Sequence, residues 1–161
     1  MQTFLPHPSM RVSLDALDNK RLNKQILETY QILNILSGKS KSNAWQNHPA
    51  VLMWAGAEDE LWRYGMIAIR LAELRGIKTD GNKSNFDSLV KSSYKYWQNN
   101  EPLWRKNPNI LKLVNTTHKA NLYIKDPIYY ANYADAVYDK NNKPCCDGCK
   151  YYWPTHKEKN V

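Results

Sequence analysis

The sequence contains few of the features that mark secreted or membrane proteins. Three of its 161 residues are cysteine, an odd number gathered near one end, which does not indicate a disulfide framework. No apolar run approaches the roughly 20 residues of a membrane span. The N-terminus has no basic leader followed by an apolar segment. We therefore expect a cytoplasmic protein that does not contact a membrane.

The common catalytic signatures are also missing. There is no Gly-rich phosphate-binding loop, no G-x-S-x-G, no H-E-x-x-H and no paired-Asp metal pattern. β-Branched runs with a period of two are absent, so strands are not expected. Any chemistry must then come from helices, a carboxylate, basic side chains and the N-terminus, and no cofactor is required for it.

Positive charge and aromatic residues are abundant. The formal net charge is +8, spread along the chain, and basic residues mix with 6 Trp and 11 Tyr. That combination suits a nucleic-acid surface. Codon bias in an AT-rich genome explains it as well, because Asn is also common here. Charge alone therefore indicates an anionic partner only weakly.

Apolar periodicity predicts an all-α protein, a compact single-domain helical bundle with a loop-like C-terminal tail. Ser13 is a candidate N-cap for a helix ending near Leu36, and Gly76 a candidate stop for a helix that opens at Pro49. Residues 79–85 read as a loop, and further helices are expected over 86–97, 110–126 and 127–138. We place a helical domain at 1–140 and a Cys/His-containing tail at 141–161.

The first long helix carries a polar stripe beside its apolar one. Arg21, Gln25 and Glu28 recur at i, i+4 and i+7, at the border of the predicted core. They form either a structural polar network or a preorganised pocket in which Glu28 is a general acid/base or electrostatic stabiliser. Lys20 and Lys24 lie on a more exposed arc, where they could contact phosphates.

Two histidines are further candidates. His48 precedes a helix N-terminus, whose dipole favours a neutral imidazole, and it is either a cap or a catalytic residue. His118, Asn121 and Lys125 share one helix and either face DNA or form a solvated surface.

The tail could hold a metal. Cys146 and Cys149 have the spacing of a tetrahedral metal ligand pair, and His156 could add a ligand. A second well-spaced pair is missing. The tail is therefore either a small structural zinc clip or a reduced-thiol segment.

The order of these elements resembles the pyrimidine-dimer DNA glycosylase/AP lyase family, of the phage endonuclease V type. The likeness covers most of the chain to about Tyr133 and is carried by "ALDNKRLNKQILE", "HPAVLMWAGAEDELWRYGMIAIRLAELRGI" and "HKANLYIKDPIYY". It is closer to a bacterial branch that begins "MQTFLP" and shares "LDNKRL-KQ", "NHPAV-MW" and "KDP".

The resemblance implies roles for particular residues. Glu28 takes the place of the catalytic carboxylate, and Arg21 falls where the family has a histidine that contacts the site. In the family, a terminal α-amine attacks C1′ of the damaged nucleotide, displaces the base and forms a Schiff base that permits strand cleavage. The family's basic and aromatic residues near the C-terminus match Lys125, Tyr129 and Tyr130 ambiguously.

The start of the chain departs from the family. The family's nucleophile is a threonine exposed by removal of the initiator Met, whereas here Gln2 follows Met1 and is normally too large for that removal. Thr3 is then not terminal, and we expect Gln2 and Thr3 to contact DNA. Either the α-amine of Met1 is the nucleophile or the enzyme uses water.

The leading hypothesis is a monomeric DNA glycosylase that acts on a damaged or modified base in double-stranded DNA, with AP-lyase activity if an N-terminal amine reacts. The main alternative is a non-catalytic nucleic-acid-binding module with a metal-stabilised tail. A third is an enzyme of similar shape that acts on a free nucleoside.

Overall fold

A computed structural model describes residues 1–41, 44–138 and 150–155. Within these residues the fold is helical, without a β-strand, which confirms the all-α prediction. The α-helices are α1 (Met10–Asp15), α2 (Asn19–Leu36), α3 (Pro49–Leu52), α4 (Glu58–Leu74), α5 (Asp80–Ser93), α6 (Leu103–Lys106) and α7 (Pro108–Lys125). Two 3₁₀ helices cover Tyr94–Tyr96 and Ala131–Ala136.

The N-terminal boundary of α2 differs from the prediction. Asp18 is its N-cap, and the Asp18 side chain accepts a hydrogen bond from the backbone of Arg21 (3.0 Å). Ser13 lies inside the short helix α1, and its hydroxyl donates to the carbonyl of His7 (2.8 Å). Asp and Ser cap helices about equally well, so composition did not separate the two positions.

The helix expected from Pro49 to Gly76 is two helices. Gly56 has φ +79°, a left-handed conformation that interrupts the chain between α3 and α4. Gly76 ends α4 as predicted, because the backbone N–H of Ile77 reaches the carbonyl of Ala72 (2.9 Å) in a Schellman arrangement. Residues 80–85, predicted as a loop, belong to α5.

Helices α2 and α4 form the centre of the bundle. Leu22, Ile26 and Leu33 of α2 are fully buried. Gly65 of α4 allows the close approach, since a Cβ there would lie 2.6 Å from the Phe86 ring and 2.9 Å from Thr29. Tight packing thus outweighs the cost of about 1 kcal/mol that glycine carries inside a helix.

The first five residues run through the interior of the bundle. Gln2 to Leu5 are all buried, and Met1 is half-buried against the core. The described end of the tail, residues 150–155, is not helical and packs onto the same segment. The backbone N–H of Tyr152 donates to the hydroxyl of Thr117 on α7 (3.1 Å).

Candidate active site

A pocket of about 380 Å³ opens where the N-terminal segment meets α2. Its walls carry one carboxylate, several cations and the N-terminal residues. The lining is Met1, Gln2, Phe4, Lys20, Arg21, Lys24, Glu28 and Lys125. Sequence reasoning selected seven of these eight residues, and the structure brings the seven together. Phe4 is the one it missed.

Glu28 lies in the wall of this pocket and is 8% exposed. Its Oε2 is 3.4 Å from Nε2 of Gln25, and its Oε1 is 3.6 Å from Nζ of Lys24. A carboxylate so placed is desolvated on one side and held by a donor and a cation on the other. Such a group can accept a proton or stabilise a developing positive charge.

Gln25 connects Glu28 to the N-terminal segment. Its Oε1 accepts hydrogen bonds from the backbone N–H of Phe4 (2.8 Å) and from the Tyr64 hydroxyl (2.7 Å). Tyr64 also lies 2.9 Å from the carbonyl of Phe4. Burial raises the pKa of Tyr64 well above its ordinary value, and the charge of Glu28 raises it further. Gln25 is fully buried and is not among the residues that line the pocket.

His118 and Thr3 are structural, which corrects the prediction that they contact DNA. His118 is fully buried, and its Nδ1 accepts a hydrogen bond from the backbone N–H of Leu5 (2.8 Å). Burial lowers the pKa of His118 to about 3, so the ring is neutral at ordinary pH. Thr3 is also fully buried, and its hydroxyl accepts from the indole N–H of Trp54 (2.9 Å). Both fix the N-terminal segment.

Arg21 is not the partner of Glu28. Its Nη1 lies 2.6 Å from Oδ2 of Asp18 and 3.7 Å from Oδ2 of Asp126, and its guanidinium lies over the Tyr130 ring at 5.3 Å. Burial alone would raise the pKa of Asp18, but hydrogen bonds from Arg21 and Tyr130 outweigh it, and the pKa is lowered. Arg21 thus ties α2 to the corner after α7 while lining the pocket.

His48 is the N-cap of α3, with its Nδ1 accepting from the backbone N–H of Ala50 (3.1 Å). Its pKa is lowered by burial first and then by the positive charge of the Met1 α-amine. The His48 ring lies 5.4 Å from Trp45 and 6.3 Å from Trp153. The cap is confirmed, and a catalytic role stays a prediction.

The remaining candidates for DNA contact differ in their exposure to solvent. Lys20, Lys24 and Lys125 are exposed at the pocket rim, where phosphates could reach them. Asn121 is half-buried and donates to the carbonyl of Thr117 (2.8 Å). Tyr129 is 52% exposed, with its ring 4.8 Å from that of Tyr130. The structure does not place Asn121 or Tyr129 in the pocket lining.

A match to a family model covers residues 1–85, which is more than half of the chain, and its description is pyrimidine dimer DNA glycosylase. The chain belongs to the pyrimidine dimer DNA glycosylase family. Comparisons with curated proteins and with solved structures give no match. Membership supports a DNA glycosylase role, hence an enzyme with DNA as its substrate. The matched residues include Met1, Gln25, Glu28 and Tyr64.

The predicted zinc ligands Cys146, Cys149 and His156 lie outside the described residues, so a zinc clip stays a prediction. Among the residues that the structure does describe, no three His, Cys, Asp or Glu side chains are grouped to hold a metal ion. None of the described helices is long and apolar enough to cross a membrane.

The sequence reading missed several residues that shape the pocket. Tyr64 and Trp54 read as ordinary core residues, yet both hold the N-terminal segment. Asn115 was also missed, although its side-chain amide donates to the carbonyl of Leu5 (2.7 Å). Their common signal is a polar atom on a side chain that lies among apolar core residues. That signal becomes informative only when the partner segment is known.

Proposed function

We propose that this family member is a glycosylase that acts on a damaged or modified base in duplex DNA, with the α-amine of Met1 as its nucleophile and with AP-lyase activity. The supporting observation is that Met1 and Glu28 line one pocket. The segment carrying Met1 is held there by hydrogen bonds at Phe4 and Leu5. In this proposal the α-amine of Met1 attacks while Glu28 assists, and such a displacement needs both groups preorganised.

The first step forms a bond between the α-amine nitrogen and C1′. The C1′–N glycosidic bond breaks, and its electron pair leaves with the base. Glu28 stabilises the positive charge that develops on the sugar and accepts a proton from the attacking amine. Opening of the sugar ring then gives a Schiff base between C1′ and the Met1 nitrogen.

The second step breaks the strand. A proton is lost from C2′, the C3′–O bond breaks, and its electron pair leaves with the phosphate. Water then hydrolyses the Schiff base and frees the amine. The lysines at the rim hold the flanking phosphates, which makes binding weaken with salt. The nucleotide must leave the base stack for C1′ to enter the pocket.

Borohydride trapping tests this proposal. The protein is incubated with a duplex containing one abasic site, reduced, and digested for peptide mapping; a second duplex contains a thymine dimer. We expect a covalent adduct on the N-terminal peptide and cleavage of a glycosidic bond of the dimer, whose base stays joined to its neighbour through the cyclobutane ring. An adduct on Lys20, Lys24 or Lys125 would overturn Met1 as nucleophile. Cleavage of that glycosidic bond without an adduct would indicate attack by water.

Glu28→Gln supplies the catalytic control, and Asp59→Asn is its matched variant. Asp59 is another buried carboxylate, paired with Arg63 at 2.9 Å on α4, outside the pocket. Glu28→Gln should lose turnover and keep DNA binding, and Asp59→Asn should keep both. Equal losses in the two variants would indicate a general effect of removing buried charge. Binding without any bond cleavage by the wild type would favour the non-catalytic module.

A further inference from the structure

The segment 150–155 lies beyond the residues that match the family, yet it packs against the N-terminal segment. The Tyr151 ring meets Phe4, a pocket-lining residue, at 6.3 Å and 62°. It meets His118, which holds Leu5, at 5.6 Å and 86°. Tyr151 therefore contacts Phe4 and also the histidine that holds Leu5 in place.

The Tyr151 hydroxyl is buried beside the Gln2 side chain. The Gln2 side chain favours the ionised phenol, but neither Tyr151 Oη nor Gln2 Nε2 has a hydrogen-bond partner of standard geometry. Buried polar atoms in native proteins nearly always have partners, so two such atoms together call for an explanation. Packing of the aromatic ring explains neither of them.

The same hydroxyl lies within electrostatic reach of the pocket. Burial raises the pKa of Tyr151 to about 12, the charge of Glu28 raises it as well, and that of Arg21 opposes them. The phenol therefore stays protonated throughout the physiological range and keeps its donor. Tyr151 does not line the pocket itself and contacts the pocket wall through Phe4.

We propose that Tyr151 is a positioning residue, whose ring supports Phe4 and whose hydroxyl restrains Gln2, so that the α-amine of the adjacent Met1 is held against Glu28. This inference rests on the proposed function, because it assigns Tyr151 to the orientation of that nucleophile. The tail segment then completes a site whose other parts lie on the first half of the chain and on α7.

A double-mutant cycle tests the inference. Wild type, Tyr151→Phe, Gln2→Leu and the double variant are compared; leucine at position 2 is large enough to retain Met1. The measured quantities are the single-turnover rate of borohydride-trapped adduct at saturating abasic duplex and the Kd for that duplex. Tyr123→Phe is the control, since that half-buried tyrosine packs against Tyr138 away from the pocket.

We expect Tyr151→Phe to lower the trapping rate about tenfold, because small misplacement of a reacting group is costly. Its Kd should stay within about twofold, and the control should match the wild type. The double variant should be no slower than the slower single variant, since both changes release the same group. A wild-type rate for Tyr151→Phe, or losses that multiply in the double variant, would overturn the inference.

Two further outcomes separate the inference from the proposed function. Absence of an adduct at Met1 in the wild type would overturn both. An adduct at Met1 with an unchanged rate in Tyr151→Phe would overturn the positioning role alone. Equal losses of rate and of melting temperature in Tyr151→Phe and Tyr123→Phe would reduce Tyr151 to a packing residue and overturn it too.

Discussion

Two of the pockets among the described residues have opposite character. The larger, about 540 Å³, lies beside Trp104 and has mainly apolar walls, with Glu101 and Lys106 as the ionisable residues among its described lining. The smaller, about 380 Å³, is lined by Glu28, Met1 and four basic side chains. Volume alone would select the first, whereas chemistry and family membership select the second. A displacement at C1′ needs a nucleophile and a carboxylate more than it needs space.

The largest difference in glycosylase turnover is expected when the carboxylate of each pocket is replaced by an amide. Glu28→Gln should lower glycosylase turnover at least about a thousandfold, because it removes the group that stabilises the transition state. Glu101→Gln should leave turnover unchanged, since Glu101 is 48% exposed on its side chain and pairs with Arg105 at 3.7 Å. Rates are measured under single-turnover conditions. A large loss in Glu101→Gln would move the active site to the apolar pocket.

A second contrast concerns two glutamine side chains, Gln25 beside the smaller pocket and Gln98 in the wall of the larger one. Gln25→Leu leaves the Phe4 N–H without its acceptor, which should lower the free energy of unfolding by about 1–3 kcal/mol. Turnover should fall about tenfold at saturating DNA as the Met1 segment loosens. Gln98→Leu, in the wall of the larger pocket, is the control, because Gln98 is exposed. Denaturant unfolding and kinetics measure the two effects. Full turnover in a destabilised Gln25→Leu would show that the segment need not be held rigidly.

A smaller effect is expected in the salt dependence of DNA binding, which should differ between lysines at the rims of the two pockets. Lys20→Gln and Lys125→Gln should each reduce the slope of log Kd against log salt by about 0.9, the value for one lost phosphate contact. Lys106→Gln, in the larger pocket, should leave the slope unchanged. Titration of a labelled duplex at several salt concentrations measures this. Equal slopes in all three variants would place the DNA elsewhere.

The smallest effect at neutral pH concerns His118. Its folded-state pKa of about 3 lies below the ordinary 6.5, so the unfolded state binds more protons between these values. The stability from this group is complete above pH 6.5 and falls as the pH drops towards 3, by roughly 1 kcal/mol per pH unit. His118→Asn, which keeps an acceptor for Leu5, should flatten this dependence in pH-dependent melts. If the stability of His118→Asn still falls as steeply below pH 6.5, other groups cause that pH dependence.

The apolar periodicity predicted the long helices α2, α4 and α7 and the polar stripe on α2, but not every helix boundary. It predicted that Gln25 and Glu28 border the core, and both are buried. It did not indicate the ion-pair partner of Arg21, which is Asp18, three residues away, at 2.6 Å. Asp18 also accepts a hydrogen bond from the hydroxyl of Tyr130, which lies 112 residues away in the sequence.

The parts that the sequence could not predict depend on such distant partners. Whether His118 faces DNA or the core depends on where residue 5 lies, and a local pattern carries no information on that. The break at Gly56 is similar: a glycine near the middle of a predicted helix is compatible with close packing, as at Gly65, or with a turn. Only the three-dimensional arrangement distinguishes the two.

The hydrogen bond between Leu5 and His118 joins residues 113 positions apart. During synthesis on the ribosome, the first residues to emerge therefore wait for most of the chain before their acceptor on α7 exists. Closing so long a loop is slow, and the transition state for folding gains little from contacts that form so late. We expect the N-terminal segment to dock last, after α2 and α4 have paired, and the pocket to become complete only with that final step.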